Sequence, residues 1–234
     1  MGQYVAELPT RREPSSPRPS PARGRIPLEQ AITWTPATPK SVFVALRNAW
    51  NANAREMGGP ATTQAVAVLL AQWAVETEEG RNCWNWNLPN IKCANRESQY
   101  HFYMSTMEDL PAARANAMVG AGHAAFRGDK DEAAPGRLRV WIPGGCFRHW
   151  FSLRKGAAGY LATLRAFYGA ELAHVRKGDP AGYATAIFEQ VRGKGRGFYN
   201  GPAETHRDGK LHDGYAPAMK LAFNEYMKAR PTDW

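Results

Sequence analysis

The run AVAVLLAQWAVETEEGRNCWNWNLPNIK, residues 65 to 92, holds the side chains with the clearest chemical potential. Counting back from Glu76 by four, three and four residues gives Gln72, Leu69 and Ala65, with Trp73 beside that stripe. On a helix these share a face, so Glu76 is predicted on a mostly apolar side, with Glu78 turned away and Glu79 near its edge. A glutamate at the C-terminal end of an inward face is desolvated, meets the negative end of the helix dipole and has two like charges nearby. All three effects raise its pKa. A carboxylic acid held protonated near neutrality is what the general acid of glycoside cleavage requires. Periodicity alone favours a simpler assignment, in which Glu76 is the last polar residue of a fraying helix before Gly80, with its head group in water.

The residues that follow shift that balance. Trp84, Asn85, Trp86, Asn87, Leu88, Pro89, Asn90, Ile91 and Lys92 combine aromatic plates with amides. Such a mixture suits sugars, whose C–H faces stack on rings and whose hydroxyls need donors and acceptors together. Trp86, Asn87 and Asn90 are therefore candidates for substrate-facing or loop-shaping residues.

QWAVETEEG followed by NWNLPNIK resembles the helix-glutamate and Asn-Leu-x-x-Ile-Lys signature of the bacterial and phage glucosaminidases, peptidoglycan hydrolases of the lysozyme-like superfamily. FYMSTMED (102–109) resembles that family's strand ending in Thr-x-Glu, and VWIPGGCFRHWFSLRKGAAGYL (140–161) its strand, Phe-Arg corner and next helix. GFYNG with GYAPAMKLAF is similar to its C-terminal tyrosine region. The likeness spans roughly residues 41 to 229, and its first block is the specific one. Pro89 and Asn90 stand where the family usually has Phe-Gly, and the segment from Asp109 to Arg139 is longer and richer in Ala than a simple hairpin needs.

This resemblance implies cleavage of a β-1,4 bond in the glycan strand of peptidoglycan, on the N-acetylglucosamine side, without a cofactor or metal. Glu76 would protonate the leaving oxygen. The Thr-x-Glu match makes Glu108 the candidate second carboxylate, activating water or stabilising an oxocarbenium-like state. Glu108 also reads as a solvent-facing acid beside Asp109 at a helix start. Phe198 and Tyr199 would line the sugar site, or serve as core aromatics. Lysozyme-like scaffolds also host muramidases and lytic transglycosylases, so the linkage stays open, as does a virion or envelope protein that binds glycan without cutting it.

Several elements must position these residues. Ser41 is predicted to cap a helix whose Phe43, Leu46, Trp50, Ala54 and Met57 share a face, ended by Gly58, Gly59 and Pro60. The glutamate helix follows. Tyr160, Leu161, Leu164, Phe167, Tyr168, Leu172 and Val175 predict a third long helix ending near Gly178 and Pro180, and shorter helices are expected over 181–191 and 215–229. QYHFYMS and RLRVWI have the aromatic and β-branched content of short strands. The fold class expected is α+β, mainly α: a lysozyme-like two-lobed fold whose helical lobe and small β-lobe flank a cleft.

With 234 residues, 44% of them hydrophobic, the chain can bury a proper core. Residues 1–38 read as a disordered Pro/Arg-rich tail, either a linker or a docking arm for a partner, and 39–234 as the hydrolase domain. No apolar run approaches the length of a membrane span. The N-terminus has arginines but no apolar h-region, so a secretory signal peptide is expected to be absent and the cell wall to be reached by lysis, non-classical export or carriage in a phage particle. The net charge of +9 fits nucleic acid or the anionic bacterial envelope. No zinc-finger spacing or helix-turn-helix supports a specific nucleic-acid partner, and the glycine-rich GKGRG at 193–197 lacks the Lys-Ser/Thr ending of a phosphate loop. Cys83, Cys93 and Cys146 leave at least one thiol unpaired, and reduced, buried cysteine is the expected state. The resemblance places Cys93 and Cys146 close together. His149 is expected to be packed or on the surface rather than a ligand.

Overall fold

Thr38 and Ser41 cap the first helix, α1 (Pro39–Ala52), reciprocally: Thr38 Oγ1 accepts from the Ser41 amide at 3.2 Å, and Ser41 Oγ accepts from the Thr38 amide at 3.0 Å. The N-cap is thus Thr38, not Ser41. Pro39 takes the first helical position, where its fixed φ fits and its missing N–H costs nothing, and Ser41 becomes the return arm of a capping box. The computed structural model describes residues 28–93, 99–126, 132–134, 136–193, 203–205, 211–213, 215–229 and 234.

Helix α2 (Thr63–Thr77) is the centre of the helical part. Every residue from Ala65 to Ala74 is buried. The helix is therefore enclosed on all sides rather than amphipathic, which is why Glu76 at its end meets protein on more than one face. Helices α1, α5 (Leu172–Lys177) and α7 (Tyr215–Lys228) pack on α2, while α4 (Leu153–Phe167) packs on α1 and α6 (Pro180–Gly193) on α5 and α7. The single long helix predicted through residues 160–175 is two helices. Tyr168 leaves helical geometry at φ −135°, followed by Gly169, the residue least constrained to stay helical. The apolar stripe misled because Leu164, Leu172 and Val175 enter the same core on both sides of the break.

The β part is a three-stranded antiparallel sheet in the order β1–β3–β2. Strand β1 (His101–Pro111) pairs with β3 (Arg137–Arg148) from His101↔Arg148 to Pro111↔Arg137, with an irregularity between Met104 and Thr106, and β2 (Glu132–Ala134) flanks β3. Both long strands outrun the short ones expected. The Ala-rich segment after Asp109 contains helix α3 (Ala112–Gly120), which sits on β1 and β3. Leu110, Ala115, Ala124 and Val140 form a small core there. A short hairpin, β4 (Ala203–Thr205) with β5 (Leu211–Asp213), precedes α7. The class is α+β, mainly α, and among the described residues no helix is long and apolar enough to cross a membrane.

Two further expectations are corrected. Cys93 and Cys146 are joined as a disulfide, with Cα atoms 5.4 Å apart, rather than reduced. The Cys93 amide donates to the Cys146 carbonyl at 2.9 Å, so backbone pairing brings the two sulfurs together. Cys83 is the free, buried cysteine, its thiol pushed up to about 11 by burial. The second correction concerns residues 28–38, expected within a solvated tail. The Gln30 amide donates to the His101 carbonyl at 2.8 Å and the His101 amide to Leu28 at 2.9 Å. The Thr35 amide donates to Cys83 at 3.0 Å and the Asn85 amide to Thr33 at 2.8 Å. This strap satisfies backbone groups of β1 and of the loop after α2, which its polar composition did not disclose.

Candidate active site around Glu76

Glu76 lies in the last turn of α2. Thr77 closes that turn: its hydroxyl donates to the Trp73 carbonyl at 2.6 Å and accepts from the Gly80 amide at 3.0 Å. Gly80 has φ +88°, and a Cβ there would press on the Ala37 carbonyl and the Trp73 ring, so the chain reverses where only glycine fits. Glu78 and Glu79 take left-handed conformations at φ 49° and 57° and point into solvent.

The Glu76 side chain is half-buried and its pKa is raised to about 7. Burial is the cause; the Tyr215 hydroxyl, donating to Oε1 at 2.7 Å, pulls the other way. The effect predicted from sequence is present, but the exposed Glu78 and Glu79 are not its source. One turn earlier, the Gln72 Oε1 accepts from the hydroxyls of Tyr183, at 3.0 Å, and Tyr160, all three residues being buried. A satisfied polar cluster thus underlies the acid. Sequence reasoning missed Tyr215 and Tyr183 as site residues; an amide at Gln72 on an apolar stripe was the available signal that polar partners waited inside.

The loop from Trp84 to Lys92 leads from this helix to the sheet. Asn90, at φ 51°, donates its amide to the Glu76 carbonyl at 2.6 Å. Asn87 is fully buried; its Nδ2 donates to the Ile91 carbonyl at 2.9 Å and its Oδ1 accepts from the Ile91 amide at 2.7 Å. Both side chains therefore shape the loop. Asn85, at φ 51° and fully buried, is its main anchor. Its Oδ1 accepts from the Thr33 amide at 2.5 Å, and its Nδ2 donates to the Ala31 carbonyl at 2.9 Å and to His149 Nδ1 at 2.8 Å. His149 is thus packed, as expected, and burial lowers its pKa. Trp86, at φ 55° and half-buried, donates its amide to Thr35 Oγ1 at 2.9 Å. Its carbonyl lies so close to Gly156 of α4 that no Cβ could stand between them.

Glu108 sits mid-strand opposite Val140, not at a helix start. Its Oε1 receives the Lys92 ammonium and, at 3.3 Å, the Thr106 hydroxyl; its side chain is 26% exposed. Lys92 also bridges to Phe147 of β3. One loop therefore begins under Glu76 and ends on Glu108. Phe198 and Tyr199 lie outside the described residues, as does most of GKGRG.

A cavity of about 420 Å³ lies beside this loop, lined by Gln99, Tyr100, Arg148, His149, Trp150, Phe151 and Lys155. Neither candidate carboxylate lines it. The Trp150 amide donates to the Asn85 carbonyl at 3.0 Å and the Arg148 amide to Ile91 at 2.9 Å, so cavity wall and loop share their backbone bonds.

No family model and no curated protein matches the chain. Among solved structures it is similar to the C-terminally truncated glycoside hydrolase domain of Salmonella typhimurium FlgJ, at 14% identity and a TM-score of 0.42 over 81% of this chain and 98% of that one. It is likewise similar to the catalytic domain of the autolysin Auto from Listeria monocytogenes, at 14% identity and a TM-score of 0.42 over 84% of this chain and 89% of that one.

Proposed function

We propose that this chain is a peptidoglycan hydrolase of the N-acetylglucosaminidase type, cleaving β-1,4 bonds of the glycan strand with Glu76 as general acid. The observation that carries the reading is the Glu76 carboxyl itself, half-buried, raised to about 7 and oriented by Tyr215. At neutral pH such a group holds its proton in a substantial fraction of molecules and gives it up readily, the balance a general acid needs. Because Tyr215 donates to Oε1, the acid proton belongs on Oε2, which would protonate the glycosidic oxygen as the C–O bond breaks. The adjoining Trp- and Asn-rich loop, held rigidly by Asn85, Asn87 and Asn90, supports a sugar ligand.

Glu108 is proposed as the second carboxylate. Its place on a sheet strand, with Lys92 holding one oxygen, leaves Oε2 to activate a water or face the developing oxocarbenium charge. That same ion pair favours a second reading, a lytic transglycosylase in which Glu76 works alone and Lys92 keeps Glu108 occupied. The surplus of positive charge suits the anionic wall as the place of action, and residues 1–27 are proposed as a linker or docking arm.

Mass analysis of muropeptides released from purified walls tests these readings together. Hydrolysis gives fragments with reducing N-acetylglucosamine ends; transglycosylation gives anhydro ends. Intact walls after prolonged incubation with the parent, or equal lysis by parent and Glu76→Gln, would sink the assignment of Glu76.

A further inference from the structure

The cavity beside the loop carries chemistry that the reaction at Glu76 does not use. Arg148 lies over the Trp150 ring at 5.1 Å, and the Lys155 ammonium stands 5.9 Å from the Phe151 ring. Neither cation meets a carboxylate among the described residues, unlike Arg81, which pairs with Glu78, and Lys92, which pairs with Glu108. Burial lowers the pKa of Arg148, as expected of a partly desolvated cation lacking a counter-charge. Phe151, although 42% exposed, is fixed edge-on against Tyr100 at 4.8 Å and His149 at 4.4 Å. A ring left open to solvent beside two cations that meet no carboxylate among the described residues selects a ligand with an apolar or C–H-rich body and a negative group.

We propose that this cavity is a subsite for the carboxylate of a peptide-substituted sugar, so that the protein distinguishes peptide-bearing glycan from a neutral strand. The inference rests on the glycan reading given above and deepens it. The guanidinium supplies a planar pair of donors to the carboxylate, Lys155 adds a mobile charge at the rim, and Phe151 with Tyr100 covers the apolar arm. Through the Arg148–Ile91 and Trp150–Asn85 backbone bonds, an arm held here sets the register of the strand on the loop that Asn90 ties to Glu76. A neutral chitin-type oligomer offers no charge to these two cations.

Binding is measured by calorimetry on full-length Glu76→Gln, which prevents turnover. The probes are an N-acetylmuramyl tripeptide, the same compound with its carboxylates amidated, and tri-N-acetylchitotriose. The acidic probe should bind at least ~10-fold more tightly than its amide, and Arg148→Gln should weaken it by ~10-fold, about the 1.4 kcal/mol that such a ratio represents. Lys155→Gln, at an exposed position, should weaken it by about 3-fold, and added salt should act in the same direction. Chitotriose binding should not respond to either variant. Equal binding of acid and amide, or an Arg148→Gln variant with the parent melting temperature and unaltered affinity for the acidic probe, overturns the subsite. Should Arg148→Gln fail to fold, an acidic probe indifferent to both Lys155→Gln and salt overturns it equally. The two proposals fail separately. Walls left intact by the parent, with Arg148-dependent binding of the acid, defeat the glycosidase reading and keep the subsite, whereas lysed walls with indifferent binding do the reverse.

Discussion

Glu76 and Glu108 are the same residue type placed in opposite halves of the molecule. The helical half has a large core that includes Trp50, Trp73, Tyr160 and Tyr183, and among the described residues the Glu76 carboxyl accepts a hydrogen bond from the neutral donor Tyr215. Among the described residues the β half has a small buried cluster of Leu110, Ala115, Ala124 and Val140, and Glu108 meets the cation Lys92 at its edge. A thick core can shift an acid by desolvation, while a thin sheet positions a carboxylate by ion pairing and strand register. The thin half also needs other supports, and it has them in the Cys93–Cys146 disulfide and in the strap that pairs with His101.

The contrast is tested most strongly by Glu76→Gln, which should lower wall hydrolysis by roughly 10²–10⁴-fold, the range for loss of a general acid, with the fold kept. The same variant reports on the desolvation. In the parent, the folded state holds the Glu76 proton up to about pH 7, whereas the unfolded chain releases it near 4.5. Stability from this group is thus full below pH 4.5 and is lost as pH rises through 7. The variant has no proton to lose, so its melting temperature relative to the parent should climb across that window. A constant difference from pH 4 to 8 would show that the Glu76 carboxyl is not desolvated.

Glu108→Gln comes next: turnover should fall by at least ~10-fold with glycan binding largely kept, read as a drop in kcat at similar KM. Full activity in that variant, with anhydro ends among the products, would transfer all the chemistry to the helical half. For the supports of the β half, removal of residues 1–27 should leave thermal stability unchanged. Removal of residues 1–37 should lower it on the order of 10 °C, since at ~1 kcal/mol per lost strap hydrogen bond the sum is several kcal/mol. Cys93→Ser should destabilise by about 2–4 kcal/mol by releasing the loop the disulfide closes, seen as a lower midpoint in urea. The smallest effect belongs to Tyr215→Phe. Losing a donor that favours the ionised form raises the Glu76 pKa further, so the alkaline limb of the pH–activity profile should move to higher pH. Movement the other way would mean that Tyr215 accepts from Glu76 rather than donating to it.

What the sequence by itself determined is local. Helical spacing from Ala65 to Glu76 put the glutamate on the inward side, the apolar stripes and glycine stops located most helices, and the aromatic runs located β1 and β3. These readings hold because a helix or strand repeats over a few residues, and burial on one side leaves a periodic trace. The asparagines of the loop were visible too, although whether they faced a ligand or their own backbone was not. Only the tertiary structure decided the rest. Tyr215 reaches Glu76 across 139 residues of sequence, and the strap at Thr33 and Thr35 anchors Asn85 and Trp86 from more than fifty positions away. The break at Tyr168 was hidden because both of its flanking helices feed one core. The Cys93–Cys146 bond depended on the end of the loop pairing its backbone with β3. Desolvation, likewise, is a property of everything packed around a carboxyl group, and distant parts of a chain supply that packing without leaving any period in the residues that receive it.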